Sequence, residues 1–96
     1  MVVLDLAFNV IKEVPEGSLD GLVNLKKIFL SANKIKKMQN INNLTTLEVL
    51  DMGDNRIRKI ENIEALVNLR ELHLAKNKIQ TIENISHLKH LYMLTL

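Results

Sequence analysis

LEVLDMGDNRI (Leu47–Ile57) decides the fold, because closely similar lines stand 22 residues before it and 22 residues after it. LKKIFLSANKI (Leu25–Ile35) and LRELHLAKNKI (Leu69–Ile79) share its pattern, L-x-x-[LI]-x-[LM]-x-x-N-x-I. VVLDLAFNVI (Val2–Ile11) is a degenerate earlier copy, and LYMLTL (Leu91–Leu96) begins a fifth. A fixed period of this length predicts a solenoid, in which each repeat packs on its neighbours.

Each repeat is predicted to contain one short strand and a return segment. Apolar residues alternate in the first part of the repeat, which is typical of a strand with one buried face. Apolar residues three apart then predict 3₁₀-like or irregular turns. We therefore expect an α/β solenoid, a short curved horseshoe with a parallel sheet on its concave side and turns on its convex side. The predicted strands are Val3–Leu6, Lys27–Leu30, Val49–Met52, Glu71–Leu74 and Met93–Leu96.

Asparagines recur at two positions of the repeat. The first set should turn inward, because an amide can satisfy backbone groups where the chain bends; it comprises Asn9, Asn33, Asn55 and Asn77. The second set should turn the return segment; it comprises Asn40, Asn62 and Asn84. The first repeat is two residues longer than the others, and V-P-x-G-x-L (Val14–Leu19) predicts a bulge on the convex side.

The 96 residues are interpreted as one domain, with repeats at 1–24, 25–46, 47–68 and 69–90 and a partial repeat at 91–96. Neither end shows a polar cap, so we expect a fragment of a longer solenoid or end-to-end association with another copy. The chain has no Cys, and its N-terminus lacks the basic start of a signal peptide. An intracellular protein, cytoplasmic or nuclear, is therefore expected, with no membrane association.

Side chains at the middle of the strands should point off the concave face, and this column reads Asp5, Phe29, Asp51, His73 and Thr95. An exposed aromatic ring between carboxylates is typical of a protein-binding anchor, because aromatics dominate interface energy while charges set the register. The alternative is that Phe29 is a scattered surface residue, which is common in soluble proteins. We favour the interface.

Basic residues follow the first Asn of successive repeats and should gather along one edge: Lys34, Lys36, Lys37, Arg56, Arg58, Lys59 and Lys78. Such an edge can steer RNA or an acidic partner. We favour a solvated edge balanced by Glu61, Glu64 and Glu83, because no aromatic residues for base stacking accompany it and the net charge is only +2. Nucleic acid is therefore not the expected partner.

A catalytic function has little support in the sequence. Asp51 and Asp54 allow a hydrolase interpretation, but no nucleophile, metal motif or phosphate loop accompanies them. His73 belongs to the concave face, whereas His87 and His90 belong to the convex side, so they form no metal set. We expect no enzymatic activity, no metal and no cofactor.

NRIRKIENIEAL (Asn55–Leu66) and its equivalents follow N-[KR]-I-x-x-[IM]-[QE]-N-I-x-x-L, which resembles the 22-residue subclass of leucine-rich repeats. Within it, the line is most similar to the leucine-rich regulatory subunits of protein phosphatase 1. The resemblance implies a protein that binds the phosphatase catalytic subunit through the concave face, here with Asp5, Phe29, Asp51 and His73. His73 stands where that family has Phe. The alternative is a scaffold of a cytoskeletal, axonemal or ribonucleoprotein complex.

Overall fold

The computed structural model describes all 96 residues and contains one parallel sheet. Its strands pair in chain order, so each strand contacts the strand of the next repeat. The predicted strands are confirmed, although each ends one residue earlier than the alternation suggested. They are β1 (Val3–Asp5), β2 (Lys27–Phe29), β3 (Val49–Asp51), β4 (Glu71–His73) and β5 (Met93–Thr95).

The pairing is in register from repeat to repeat. Asp5 is paired with Phe29, Phe29 with Asp51, and Asp51 with His73. Neighbouring strands in a sheet lie about 4.8 Å apart, so equivalent residues form straight columns across the concave face. The predicted mid-strand column is therefore a physical row of side chains.

The return segments consist of turns and contain no helix. In the second repeat the amide of Leu44 donates to the carbonyl of Ile41 at 3.1 Å, and the amide of Leu47 donates to the carbonyl of Leu44 at 3.0 Å. These are bonds of the 3₁₀ type, and they recur in the third and fourth repeats. The predicted irregular convex side is confirmed. The structure has no helix with the length and apolar character needed to cross a membrane.

The longer first repeat forms the predicted bulge on the convex side. The carbonyl of Pro15 accepts hydrogen bonds from the amide and the hydroxyl of Ser18, at 3.2 and 2.7 Å. Gly17 has a left-handed backbone with φ of 75°, which a glycine adopts without steric cost. Val14 and Leu19 stay buried on either side, so the extra residues loop outward without breaking the core.

The apolar core is complete only in the second and third repeats. Every core side chain of these two repeats is at most 1% exposed: Leu25, Ile28, Leu30, Ile35, Met38, Ile41, Leu44, Leu47, Leu50, Met52, Ile57, Ile60, Ile63 and Leu66. In the fourth repeat, Ile82 is 62% exposed. Ile82 occupies the position of Met38 and Ile60 but does not pack as they do, because the partial fifth repeat adds a strand and no return segment to cover it.

The first asparagine set forms a ladder that joins consecutive repeats. The amide nitrogen of Asn55 donates to the carbonyl of Met52 in its own repeat and to the carbonyl of Leu30 in the preceding repeat, both at 3.0 Å. Its amide oxygen accepts the backbone N–H of Ile35 at 3.0 Å. The inward orientation is confirmed, with equivalent bonds, for Asn33 and Asn77.

The first member of that set makes only part of the ladder. Asn9 is exposed, and it donates to the carbonyls of Leu6 and Ala7 in its own repeat, at 2.9 and 3.2 Å. Asn55 makes the same two bonds within its own repeat, so the side chain of Asn9 is oriented as predicted. The burial of this asparagine and its bonds between repeats, in contrast, depend on the neighbouring repeats.

The second asparagine set turns the return segments, as predicted. Asn62 has a left-handed backbone with φ of 60°, a conformation that asparagine tolerates better than most residues. Its side-chain amide donates to the carbonyl of Met38 in the preceding repeat at 2.7 Å. Asn40 and Asn84 make the equivalent bonds. Two asparagine ladders, one at each end of the return segment, thus tie neighbouring repeats together.

Candidate binding face

The concave side of the sheet carries a shallow groove of about 280 Å³. Residues of the three central strands and two small residues that follow them line it: Lys27, Phe29, Val49, Asp51, Gly53, Glu71, His73 and Ala75. The small side chains at Gly53 and Ala75 leave one side of the groove open. This arrangement follows directly from the in-register pairing, which places equivalent residues of successive repeats side by side.

The structure brings together three of the four predicted site residues. Phe29, Asp51 and His73 line the groove. Asp5 is exposed on β1 beside Phe29 but lies outside the groove. Phe29 is half-buried, not fully exposed as the sequence suggested, because β1 and β3 flank it on both sides. That Asp5, Phe29, Asp51 and His73 contact a protein partner stays a prediction.

The column two residues before the mid-strand column offers little apolar surface. Val49, which lies in it on β3, is only 7% exposed. It pairs in register with Lys27 on one side and Glu71 on the other. Long charged side chains cover apolar neighbours with their methylene stems. Phe29 is therefore the main apolar side chain that this groove offers to a partner.

The two aspartates of the mid-strand column are held in similar orientations. An oxygen of Asp51 accepts the amide N–H of Gly53 at 3.0 Å, and an oxygen of Asp5 accepts that of Ala7 at 3.0 Å. Each bond holds one carboxylate oxygen and leaves the other available. Side chains that are already ordered lose less entropy when a partner binds. The two carboxylates that flank Phe29 are thus preorganised hydrogen-bond acceptors.

The far end of the groove is a hydrogen-bonded cluster that links β4 to the last repeat. His73 lies 3.0 Å from Glu71 through Nε2 and 3.1 Å from the hydroxyl of Thr95 through Nδ1. The hydroxyl of Tyr92 donates to the other Glu71 oxygen at 3.1 Å. The bond from His73 holds the pKa of Glu71 below its usual range, and the carboxylate of Glu71 raises the pKa of Tyr92.

Tyr92 is the residue that the sequence analysis missed. It immediately precedes β5, one position before the columns that were followed across the sheet. Met93 pairs in register with Glu71, which brings the ring of Tyr92 near that carboxylate. If the residue that immediately precedes each strand had also been compared between repeats, Tyr92 would have appeared as an aromatic residue next to the groove.

The paired-carboxylate alternative gains no geometric support. Asp51 lines the groove and is bonded to Gly53, but Asp54 is not among the lining residues. Asp54 is exposed in a left-handed turn with φ of 52°. No group of His, Cys, Asp or Glu side chains is arranged to hold a metal ion. The chemistry available on this face is hydrogen bonding, charge and contact with one aromatic ring.

A family model described as leucine-rich repeats in two copies matches residues 23–66 and again residues 45–90. The match covers more than two thirds of the chain. It includes the three central strands that form the groove and the Asn ladder between them. The sequence matches no curated protein.

Solved structures share this architecture. The TLR13–ssRNA13 complex superposes with a TM-score of 0.89 and 29% identity, over 99% of this chain and 15% of that chain. Internalin C2 of Listeria monocytogenes superposes with a TM-score of 0.88 and 30% identity, over 97% of this chain and 40% of that chain. Internalin F of the same bacterium, at 22% identity and a TM-score of 0.82, shares the fold over 100% of this chain and 34% of its own. The chain thus spans less than half of each of these proteins.

Proposed function

Because the chain belongs to the leucine-rich repeat family, we propose that it is a protein–protein interaction module whose concave groove holds a protein partner. The observation that carries this proposal is the half-buried ring of Phe29 between two oriented carboxylates. Aromatic anchors of this kind dominate interface energies when a partner covers them fully. The carboxylates supply directional acceptors that fix how the partner lies.

The shape of the groove favours a macromolecule over a small ligand. It is open, four of its eight lining residues are polar or charged, at Lys27, Asp51, Glu71 and His73, and Phe29 is the one aromatic residue that lines it. Small-molecule sites are usually concave, enclosed and predominantly apolar. A protein surface can instead contact several columns at once and cover both the aromatic ring and the charges around it.

The catalytic subunit of protein phosphatase 1 is the first partner that we propose. The support is the resemblance of the repeat line to the regulatory subunits of that enzyme, together with an acid and an aromatic at Asp5 and Phe29. His73 departs from that resemblance, and in this chain it is engaged by Glu71 and Thr95. We therefore expect phosphatase binding to depend on Phe29 more than on His73.

The test is binding of the purified phosphatase catalytic subunit to the immobilised chain, followed by biolayer interferometry. Phe29→Ala should weaken binding at least tenfold, because hot-spot aromatics at protein interfaces cost about 2 kcal/mol or more on truncation. Phe8→Ala is a matched control. Phe8 is the only other Phe, it is 85% exposed, and it lies outside the groove.

The outcomes distinguish three claims: that the groove is the site, that the phosphatase is the partner, and that the chain binds a protein at all. Equal loss with both variants would argue against the groove. Absence of phosphatase binding by the unmodified chain would reject that partner but not the general function. In that case a cell lysate should still yield a protein that the unmodified chain and Phe8→Ala retain and Phe29→Ala loses. Failure to find such a protein would reject the groove as a protein-binding site.

A further inference from the structure

A second charged surface lies along the edge that follows the strands. We call it the cationic strip, and it comprises Lys34, Lys36, Lys37, Arg56, Arg58, Lys59 and Lys78. All seven side chains are exposed. The backbone below them is aligned between repeats, since the amides of Arg56 and Lys78 donate to the carbonyls of Ile35 and Ile57 at 2.8 Å each. The strip is therefore a regular array built by the repeat.

Four members of the strip line one groove. Lys36, Arg56, Arg58 and Lys78 surround a space of about 540 Å³, and no carboxylate is among its lining residues. An adjoining groove of about 500 Å³ is lined by Arg58 and Lys78 together with the neutral residues Ile79 and Gln80. The two grooves share Arg58 and Lys78, and together they form a cationic channel across the second, third and fourth repeats.

No side chain of the strip takes part in a direct ion pair. The two ion pairs of the structure join Lys26 to Glu48 and His73 to Glu71. Glu61 and Glu64 line a separate groove with Lys59, at one border of the strip, so the expected balance by glutamates applies there and not to the four cations of the first groove. Unpaired charges of one sign lining a cleft concentrate the field and attract counter-ions of the opposite sign.

The chemistry of the channel selects among anionic partners. Its guanidinium groups match carboxylates and phosphates equally, with two parallel hydrogen bonds, so the choice depends on the surroundings. No aromatic residue lines either groove, so there is no platform on which bases could stack. Acids also border the strip in the sequence, Asp54 before Arg56 and Glu61 after Lys59. Any long anionic chain would be repelled at these borders, so a short segment is favoured. Without a platform for stacking bases, the segment that fits is an acidic peptide.

The spacing of the cations agrees with an acidic peptide as the ligand. Equivalent cations on successive repeats sit on backbones separated by about 4.8 Å. Residues four apart on a helix are about 5–6 Å apart at Cβ. Successive carboxylates of an acidic helical segment can therefore meet successive cations. We propose that the cationic strip is a second docking surface, and that its ligand is a short acidic peptide segment of a protein partner.

The experiment measures fluorescence anisotropy with a labelled decaglutamate peptide and with a labelled ten-nucleotide RNA. The unmodified chain should bind decaglutamate more tightly than RNA, and the affinity should fall as salt rises. The double variant Arg56→Gln/Arg58→Gln should bind decaglutamate at least tenfold more weakly. The matched control is Arg70→Gln/Lys89→Gln, which removes the same charge from exposed positions outside the channel and should change the affinity less than twofold.

Each contrary result overturns the proposal in its own way. Equal weakening by the two double variants would show that net charge alone attracts the peptide. Tighter binding of RNA would make the strip a nucleic-acid surface, and no binding of decaglutamate at low salt would remove the site. All four substituted side chains are exposed, so thermal unfolding followed by circular dichroism should be unchanged. Phe29→Ala should leave decaglutamate binding intact, which keeps this test separate from that of the concave groove.

Discussion

The third repeat and the first repeat have similar sequences, but equivalent residues differ in burial and in hydrogen bonding. Asn55 is 8% exposed and bonds to backbone groups of both its own repeat and the preceding one. Asn9 occupies the equivalent position, is exposed, and bonds only within its own repeat. Leu50 is fully buried, whereas its equivalent Leu4 is half-buried.

The difference shows that a repeat gains stability from its neighbours in addition to its own sequence. In a solenoid, each unit contributes an intrinsic term and an interface term for each adjacent unit. The third repeat has two complete interfaces, while the first repeat has one. Substitutions at equivalent positions should therefore have unequal effects, and that inequality can be measured.

The largest difference is expected for the core leucines. Leu50→Ala should lower the free energy of unfolding by about 2–5 kcal/mol, because it removes buried methyl groups and leaves a cavity. Leu4→Ala should cost under about 2 kcal/mol, because part of the Leu4 side chain is already in water. Urea unfolding of the two variants measures both values. Equal losses would contradict the view that the interfaces make the difference.

The asparagine ladder should show the same inequality on a smaller scale. Asn55→Ala leaves the buried N–H of Ile35 without its side-chain partner. The carbonyls of Leu30 and Met52 each lose one donor but keep the amide of Asn33 or Asn77. One unsatisfied buried group costs about 1–3 kcal/mol, so a loss of about 2–3 kcal/mol is expected once the weakened carbonyl bonds are added.

Asn9→Ala is the control for the ladder. It removes two bonds at an exposed position, where water can replace them. The expected loss is at most about 1 kcal/mol. If Asn9→Ala proved as costly as Asn55→Ala in the same urea experiment, the bonds between repeats would not be the source of the stability.

The comparison also explains what the sequence could predict. Strand positions, sheet direction and the inward asparagines follow from residues that recur in three repeats, so each repeat supports the assignment made for the others. The exposure of Ile82 and Asn9 could not be predicted from the recurring residues, because it depends on whether another repeat covers them. Val49 is a further example, since it lies between Lys27 and Glu71 on the adjacent strands and is buried there.

The candidate site was predictable to the same extent. The column containing Phe29, Asp51 and His73 follows from the period, and the structure places these side chains in one groove. The cluster around Glu71 was not predictable from the columns alone. It depends on Tyr92, which reaches Glu71 from outside the strand.

One feature should not distinguish the first repeat from the others. The residue before the first Asn has a left-handed backbone in all four full repeats, with φ between 52° and 60° at Phe8, Ala32, Asp54 and Lys76. This conformation costs an L-residue about 1–2 kcal/mol, whereas glycine adopts it freely but loses about 0.5–1 kcal/mol of entropy. Ala32→Gly should therefore stabilise the chain by about 0.5–1 kcal/mol.

Ala75→Gly is the matched control for that substitution. Ala75 is not among the residues with a left-handed backbone, so glycine brings only the entropic cost and should destabilise by about 0.5–1 kcal/mol. Thermal unfolding of the two variants gives opposite shifts if the backbone conformation decides the sign. Shifts in the same direction would show that the left-handed turn stores no strain.

The smallest expected effect lies at the other end of the stack, where Glu71, His73 and Tyr92 join β4 to the last repeat. The folded-state pKa of Glu71 is depressed, chiefly by the hydrogen bond with His73 and less by that with Tyr92. A depressed carboxyl pKa contributes stability above the unfolded-state pKa, and this contribution disappears as pH falls through the folded-state pKa. The contribution is small because the pair is partly exposed to solvent.

His73→Phe should therefore raise the pKa of Glu71 toward its usual value, and Tyr92→Phe should raise it less. Carboxyl-carbon NMR titration measures both shifts directly. The loss of stability on acidification should also be smaller in His73→Phe, because the folded-state pKa of Glu71 then lies closer to its unfolded-state value. An unchanged Glu71 pKa in His73→Phe would show that the contact with His73 is not what holds the carboxylate in its charged form. The last interface would then depend on its backbone ladder and packing alone.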